Sequence, residues 1–212
     1  MKLFGSSGSP YVRKVLAFAD EKGIELEVVA AGIGAAPPGF REASPFGKMP
    51  AFQDGDFMIS DSSAIITYLD AIRPEPNLIP LEPKARARVI WFEEYADTIL
   101  TSCGAKIMFN RFISPRFLGK PGDEVVAAAA EQDELPPILD YLERVIPESG
   151  WLVEDRLTLA DLAVASPIGT LMHLDWRLDP KLYPKAAAYA DKVLARPSLA
   201  RWIAQERAAF GT

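Results

Sequence analysis

Short apolar runs separated by turn residues fill the first third of the chain, a pattern that is typical of strands. "KLF" at residues 2–4 ends at Gly5, and "LEVVAA" at 26–31 ends before a stretch rich in Gly and Pro. The runs "MPAFQD" and "FMIS" flank Gly55-Asp56, a pair that favours a tight turn. The pattern therefore predicts two separate strands and then a β-hairpin.

Two segments with helical spacing lie between these runs. "SPYVRKVLAFADEKGI" predicts a helix with Ser9 as N-cap and Pro10 at its first position. "DSSAIITYLDAIRP" predicts a second helix, capped by Asp61 or Ser62. A helix between the first two strands predicts that they pair in parallel. Residues 32–48, "GIGAAPPGFREASPFGK", are predicted to form a long loop.

The pattern becomes strongly helical after "RPEPNLIPLEP", whose four prolines cannot continue a helix and so predict a linker. In the segment that follows, five residues recur at helical spacing and are predicted to share one buried face: Phe92, Ala96, Ile99, Cys103 and Ile107. "DEVVAAAAEQDELPPILDYLERVI" predicts a helix that breaks or kinks at Pro136-Pro137. "TLADLAVASPIGTLMHL" is apolar all round, which predicts a helix in the centre of a domain.

Composition and charge narrow the class of protein. The chain has 212 residues and a net charge of −6, which argues against nucleic acid as its main partner. Its one cysteine, Cys103, cannot form an internal disulfide and fits a reducing compartment. We find no signal peptide and no apolar run of membrane-spanning length, so we expect a cytoplasmic protein.

The turn "SSGSPYVRK" is the first candidate for chemistry. A helix N-terminus presents unpaired N–H groups and the positive end of the helix dipole, which favour an anion such as a thiolate. The Ser9 hydroxyl is placed to donate a hydrogen bond to that anion, while Ser6 and Ser7 lie earlier in the turn. The alternative is that Ser9 only caps the helix.

Two further stretches are candidates for binding a ligand. In "SPFGKMPAF", a cis bond before Pro50 would turn the backbone of Met49 outward, where it could pair with an extended peptide. In "ISDSSAI", Ser62 and the free N–H groups at the helix start could hold a carboxylate, and Asp61 an ammonium group. The alternative for Asp61 and Ser62 is again a simple helix cap.

These three stretches and the later "TLADLAVASP", in this order, resemble the glutathione transferase superfamily over essentially the whole chain. The resemblance is greatest to the bacterial and plant-type enzymes with serine or cysteine at the active site. It implies a thioredoxin-like α/β domain with a mixed four-stranded sheet over residues 1–76. A Pro-rich linker over 77–84 and an all-α domain over 85–212 would follow. It also implies a homodimer that binds glutathione and needs no metal.

The resemblance assigns roles to individual residues. Ser9 falls where related enzymes keep the residue that activates the thiol. Met49, before the presumed cis Pro50, would pair its backbone with the cysteinyl part of glutathione. Asp61 and Ser62 would hold the γ-glutamyl end, and Lys48 would approach the glycyl carboxylate.

The chain departs from the family pattern at two of these positions. It has Asp61 where the family usually has Glu, so the carboxylate is one methylene shorter. It has Ser9 rather than Cys, which argues against disulfide exchange with glutathione. Thr158 and Asp161 match the family's capping box, a folding element. For Cys103 and His173 we predict structural roles.

The predicted reaction is the conjugation of glutathione to an apolar electrophile, as in the glutathione S-transferases. The electrophile would bind between the domains, in a pocket whose candidate walls are four aromatic side chains: Tyr11, Phe109, Phe112 and Phe117. Two alternatives use the same fold. One is a glutathione-dependent isomerase or peroxidase, and the other is a protein that binds apolar ligands or another protein without turnover.

Overall fold

The computed structural model describes all 212 residues, and its first part contains a mixed four-stranded sheet. The strands are β1 (Lys2–Phe4), β2 (Glu27–Val29), β3 (Ala51–Asp54) and β4 (Phe57–Ser60), in the order β2-β1-β3-β4. β1 and β2 are parallel, with Leu3 opposite Val28, and the other pairs are antiparallel. The parallel pair and the hairpin are confirmed, although β2 is shorter than "LEVVAA".

Three helices accompany the sheet: α1 (Pro10–Glu21), α2 (Phe40–Ala43) and α3 (Ser62–Ile72). The first and third are confirmed, but the prediction of a loop throughout residues 32–48 is wrong because α2 lies inside it. Phe40 and Ala43 are both buried and belong to a small apolar cluster with Phe4. Burial of these two side chains holds one short helical turn in a segment whose local sequence favours a loop.

The rest of the chain is helical, which confirms the predicted fold class. Its helices are α4 (Pro83–Glu94), α5 (Thr101–Met108), α6 (Ser114–Phe117), α7 (Glu124–Ala129), α8 (Leu135–Val145), α9 (Leu159–Leu171), α10 (Pro184–Leu194) and α11 (Pro197–Phe210). None of the helices is long and apolar enough to cross a membrane.

Three π-helical turns join neighbouring helices into longer rods. Tyr95–Leu100 joins α4 to α5, Phe109–Ile113 joins α5 to α6, and Ala130–Glu134 joins α7 to α8. A π turn holds more residues per turn than an α-helix, so side chains within it depart from the 3.6-residue spacing. This explains why Ile99, predicted on the buried face, is 40% exposed. The other four residues of that predicted face are buried.

The predicted break at Pro136-Pro137 takes the form of the third π turn. The prolines sit in the first turn of α8, directly after Ala130–Glu134. Proline cannot donate a hydrogen bond to the preceding turn, and a proline is tolerated where a new helical segment begins. The rod therefore continues past the prolines instead of ending.

Helix α9 lies at the centre of the molecule. All thirteen of its residues are buried, and it packs against both α1 and α4. Its start has the predicted capping box, in which the carboxylate of Asp161 accepts hydrogen bonds from the N–H groups of Thr158 (2.9 Å) and Leu152 (3.0 Å). Helix α1, which begins after Ser9, therefore packs against a helix that is fully buried and capped at its start.

The Pro-rich segment after α3 is tied to α1 by one buried lysine. The Lys22 ammonium donates to the carbonyls of Arg73, Pro74 and Pro76, and it lies 2.7 Å from the carboxylate of Asp70. Helix α3 ends at Ile72 and α4 begins at Pro83, so the connecting segment is extended and irregular. The domain boundaries given above stay predictions.

Candidate functional site

The start of α1 leaves a serine hydroxyl free. Ser9 is at the N-cap position with an extended backbone, and Pro10 is the first helical residue, as predicted. Its hydroxyl makes no capping hydrogen bond, while its N–H donates to the carbonyl of Ser6 at 2.9 Å. Ser9 and Ser6 both border a large apolar cavity, and Ser7 does not. The hydroxyl of Ser9 is thus available to a ligand.

A cavity of about 460 Å³ lies between the turn before α1 and the helical part of the chain. Fourteen of its twenty-three lining residues are hydrophobic, so it suits an apolar molecule. The four aromatic residues predicted as walls all border it: Tyr11, Phe109, Phe112 and Phe117. Phe210 and His173, which the sequence did not single out for this wall, border it as well.

One long wall of the cavity comes from α5 and the π turn that follows it. Thr101, Gly104 and Met108 line it from α5, and Phe109 and Phe112 line it from the π turn. Gly104 has no side chain, so it leaves space in the cavity that a larger residue at this position would fill. Single π turns within α-helices are frequent at functional sites.

Met49 lies at the edge of the cavity next to the turn of Ser9. The Met49-Pro50 bond is cis. Neither the N–H nor the C=O of Met49 takes part in a hydrogen bond within the chain, whereas the carbonyl of Pro50 accepts from the N–H of Asp61 at 3.2 Å. Lys48 is exposed beside it, with its carbonyl held by the hydroxyl of Ser44 at 2.6 Å. The structure therefore brings Met49, Pro50 and Asp61 together.

Asp61 is the N-cap of α3, as the capping alternative predicted. One oxygen of its carboxylate, Oδ1, accepts from the N–H groups of Ser63 (2.9 Å) and Ala64 (3.1 Å). Its φ of 88° is unusual for a residue other than glycine. Oδ2 makes no hydrogen bond with the chain. Ser62, the first residue of α3, is buried, and its hydroxyl lies 3.5 Å from Oδ2 of Asp97.

An excess of negative charge lies behind Ser62. The buried ammonium of Lys14 contacts the carboxylates of both Glu93 (2.9 Å) and Asp97 (2.5 Å). Burial raises the pKa of Asp97, against the lowering effect of Lys14. Burial, and then the charges of Asp97 and Asp61, raise the pKa of Tyr11. Backbone N–H groups and carboxylates therefore meet at one end of the site, which fits a group that carries both an anion and an ammonium.

A buried ion pair lies beneath the cavity. The guanidinium of Arg13 donates to both carboxylate oxygens of Glu206, at 3.0 and 2.5 Å. His173 Nε2 lies 2.9 Å from the same carboxylate. Burial raises the pKa of Glu206, but His173 and Arg13 together outweigh it, so the net shift is downward. These contacts agree with the structural role predicted for His173.

Cys103 faces the core, away from the cavity. The thiol is buried and lies 3.3 Å from the carbonyl of Ala130. Burial, and then the charge of Glu134, raise its pKa to about 11. A thiol in these surroundings is a poor nucleophile at neutral pH. The structure brings together no three His, Cys, Asp or Glu side chains that could hold a metal ion.

The family models that match the chain describe glutathione S-transferases. The model of their N-terminal domain matches residues 3–77, and that of their C-terminal domain matches residues 113–206. A glutathione S-transferase of Hyoscyamus muticus is 31% identical over 208 residues, which are 96% of this chain and 97% of that protein.

Solved structures of similar proteins share the fold. A structure of glutathione S-transferase-I with bound lactoylglutathione is 27% identical, with a TM-score of 0.81 over 96% of this chain and 98% of that one. A glutathione S-transferase from Methylobacterium radiotolerans in complex with glutathione sulfonate is 25% identical, with a TM-score of 0.77 over 95% and 93% of the two chains.

Proposed function

Because the chain belongs to the glutathione S-transferase superfamily, we propose that it binds glutathione, stabilises the thiolate and joins it to an apolar electrophile. One observation carries this proposal. The free hydroxyl of Ser9, at the N-terminus of α1, borders an apolar cavity large enough for a second substrate. A nucleophile made at this turn would meet an electrophile held in that cavity.

Glutathione is an extended tripeptide, and the chain offers a partner for each of its parts. The unpaired N–H and C=O of Met49 can pair with the backbone of the cysteinyl residue. Ser62 and the start of α3 can hold the γ-glutamyl carboxylate. The free Oδ2 of Asp61 can accept from the ammonium, and Lys48 can approach the glycyl carboxylate.

The energy needed to activate the thiol is within reach of one serine and one helix end. A free thiol has a pKa of about 8.5, so only a few per cent is ionised at neutral pH. Lowering that pKa by about two units requires about 2.7 kcal/mol in favour of the thiolate. A hydrogen bond to a charged group supplies about 1.5–3 kcal/mol. The helix N-terminus adds about 0.3–1 kcal/mol.

In the proposed reaction the sulfur of glutathione is the nucleophile and Ser9 forms no covalent bond. The thiol loses its proton to solvent, and Ser9 donates a hydrogen bond to the resulting thiolate. The sulfur then forms a bond to an electrophilic carbon, and the electron pair displaced there leaves with the leaving group or moves onto an acceptor atom. Tyr11, Phe109, Phe112 and Phe117 surround the apolar part of the electrophile.

The test is a titration of bound glutathione, followed by thiolate absorbance against pH. We expect Ser9→Ala to raise the pKa of the bound thiol by one unit or more, because the donor is lost while the helix end remains. Ser7→Ala is the matched control, since Ser7 does not border the cavity, and it should leave that pKa unchanged. A response to Ser6→Ala instead of Ser9→Ala would transfer the role to Ser6. A wild type that binds no glutathione would refute the proposal as a whole.

We also propose that the protein is a homodimer. Several large apolar side chains outside the cavity are exposed, and Phe46 is the most exposed of all, at 89%. Aromatic side chains such as that of Phe46 are enriched at protein interfaces relative to the rest of the protein surface. Sedimentation equilibrium should give twice the mass of the chain, and Phe46→Asp should shift the equilibrium toward the monomer. A mass of one chain at micromolar concentration would contradict this.

A further inference from the structure

The last residue of helix α11 completes the cavity wall. Phe210 is the last residue of α11, and its ring packs against Phe112, His173 and Phe117 with ring centres 5.3, 5.2 and 5.9 Å apart. These three rings come from two other parts of the chain. Phe210 therefore closes an aromatic cluster at one side of the cavity.

The same ring touches the turn that carries Ser9. A Cβ atom built on Gly8 would lie 2.8 Å from Cζ of Phe210, so the ring covers Gly8 directly. Gly8, Ser9 and Phe210 all border the cavity. Phe210 thus contacts the thiol-activating turn on one side and the aromatic cluster on the other. No other aromatic side chain of the cavity lies this close to Gly8.

A buried ion pair fixes this arrangement. Arg13 lies one helical turn after Ser9 in α1, and Glu206 lies one helical turn before Phe210 in α11. Because residues four apart lie on the same face of a helix, the Arg13–Glu206 pair sets the distance between Ser9 and Phe210. Arg13 is fully buried and the side chain of Glu206 is 2% exposed, so water does not weaken the pair.

A second contact holds the end of α11 from outside the cavity. Nη1 of Arg116 donates to the carbonyl of Phe210 at 2.6 Å. The guanidinium also lies over the ring of Phe112, 4.8 Å from its centre. Arg116 does not border the cavity itself, so it can be replaced without changing the lining.

We propose that Phe210 is a specificity-determining residue, which covers the second and third carbon atoms beyond the sulfur and so favours second substrates with an unbranched or flat apolar group there. Arg13 and Glu206 are its positioning residues. This inference rests on the proposed function, because it places the sulfur of glutathione at the turn of Ser9.

The binding of S-alkylglutathiones tests the proposal, because these compounds occupy the site and their sulfur is already alkylated, so no reaction takes place. In S-methylglutathione almost all binding comes from the tripeptide, whereas in S-hexylglutathione the chain must enter the cavity. Each fully buried methylene raises affinity about fourfold. If Phe210 covers roughly two methylenes beyond the first carbon, Phe210→Ala should weaken S-hexylglutathione about fifteenfold, about 1.6 kcal/mol, and leave S-methylglutathione within about twofold.

Three further variants test whether Phe210 acts as a wall of the cavity or whether its loss only disturbs the packing of the protein. Phe57→Ala is the matched control, since Phe57 is a half-exposed aromatic residue outside the cavity, and it should change neither affinity. Arg116→Met should shift the hexyl-to-methyl ratio in the same direction as Phe210→Ala, by less. Glu206→Gln should also shift this ratio under conditions where circular dichroism shows a folded protein.

The outcomes distinguish the two proposals. If wild type binds neither compound, the proposed function fails, and the role of Phe210 fails with it. If both compounds bind and Phe210→Ala leaves their ratio unchanged, the proposed function stands and Phe210 is not the wall. Tighter binding of S-hexylglutathione by Phe210→Ala would show that the ring obstructs the cavity, which also overturns the proposal.

Discussion

Lys22 is the most informative position at which to test what holds the connecting segment to α1. Its side chain is fully buried, and its ammonium faces four acceptors: the carboxylate of Asp70 and the carbonyls of Arg73, Pro74 and Pro76. Methionine has nearly the same length and shape, so Lys22→Met removes the charge and the three donors without opening a large cavity.

The expected cost follows from what the substitution leaves behind. Breaking a buried ion pair costs about 3–5 kcal/mol, because the remaining charge has no partner. The side chain of Asp70 is 21% exposed, and water can reach part of it, which reduces this figure. Its Oδ1 has no other partner within the chain. The carbonyls of exposed residues can turn to water at lower cost. We therefore expect Lys22→Met to lower the free energy of unfolding by about 2–4 kcal/mol.

A double-mutant cycle in urea measures this. Asp70→Asn alone should cost less than Lys22→Met, because the ammonium keeps its three carbonyl partners. The double variant should cost less than the sum of the two, by about 1–3 kcal/mol, because it leaves no unpaired charge. Glutathione binding at low temperature serves as the check that each variant folds. If Lys22→Met changes the free energy of unfolding by less than about 1 kcal/mol, the reasoning from burial is wrong.

Two other sites give independent predictions. Asp161→Asn should lower the free energy of unfolding by about 1–2 kcal/mol through the loss of the capping box. Burial raises the pKa of Asp161 to about 6, above its value of 3.8 in an unfolded chain, so the folded protein holds this proton more tightly. The contribution of Asp161 to stability should then decrease between pH 4 and 6, and urea unfolding at several pH values should show the difference between wild type and variant shrinking as pH rises. For Cys103, burial predicts that iodoacetamide at pH 8 labels the unfolded chain at least about a hundredfold faster than the native protein, measured by mass spectrometry.

Local signals in the sequence predicted much of the first part of the site. Ser9 before Pro10 marks a helix start, Gly55-Asp56 marks a hairpin, and the apolar pattern of α9 marks a central helix, because each depends on neighbours in sequence. Tyr11, next to Ser9, and Phe109, Phe112 and Phe117, near the end of the long helical segment, could be proposed as walls from their places in the sequence. All four border the cavity.

Other features depend on contacts that no local pattern contains. Phe210 reaches the turn of Ser9 through a pair, Arg13 and Glu206, that is 193 residues apart in sequence. The helix α2 forms because Phe40 is buried beneath the sheet, against the preference of its Gly- and Pro-rich surroundings. The outward position of Ile99 follows from a π turn, which hydrophobic spacing at 3.6 residues per turn cannot show.

The π turn at Tyr95–Leu100 also determines which changes in chain length this helix can absorb. Deleting one residue from an ordinary α-helix rotates everything after it by about 100° and would turn the cavity wall toward solvent. Deleting one residue within the π turn would instead remove the extra residue that the wider turn holds and convert the turn to α-helix. Thr101 to Phe112 would then keep the same face toward the cavity. During evolution, this turn is therefore the place where an insertion or deletion of one residue would preserve the binding surface that follows it.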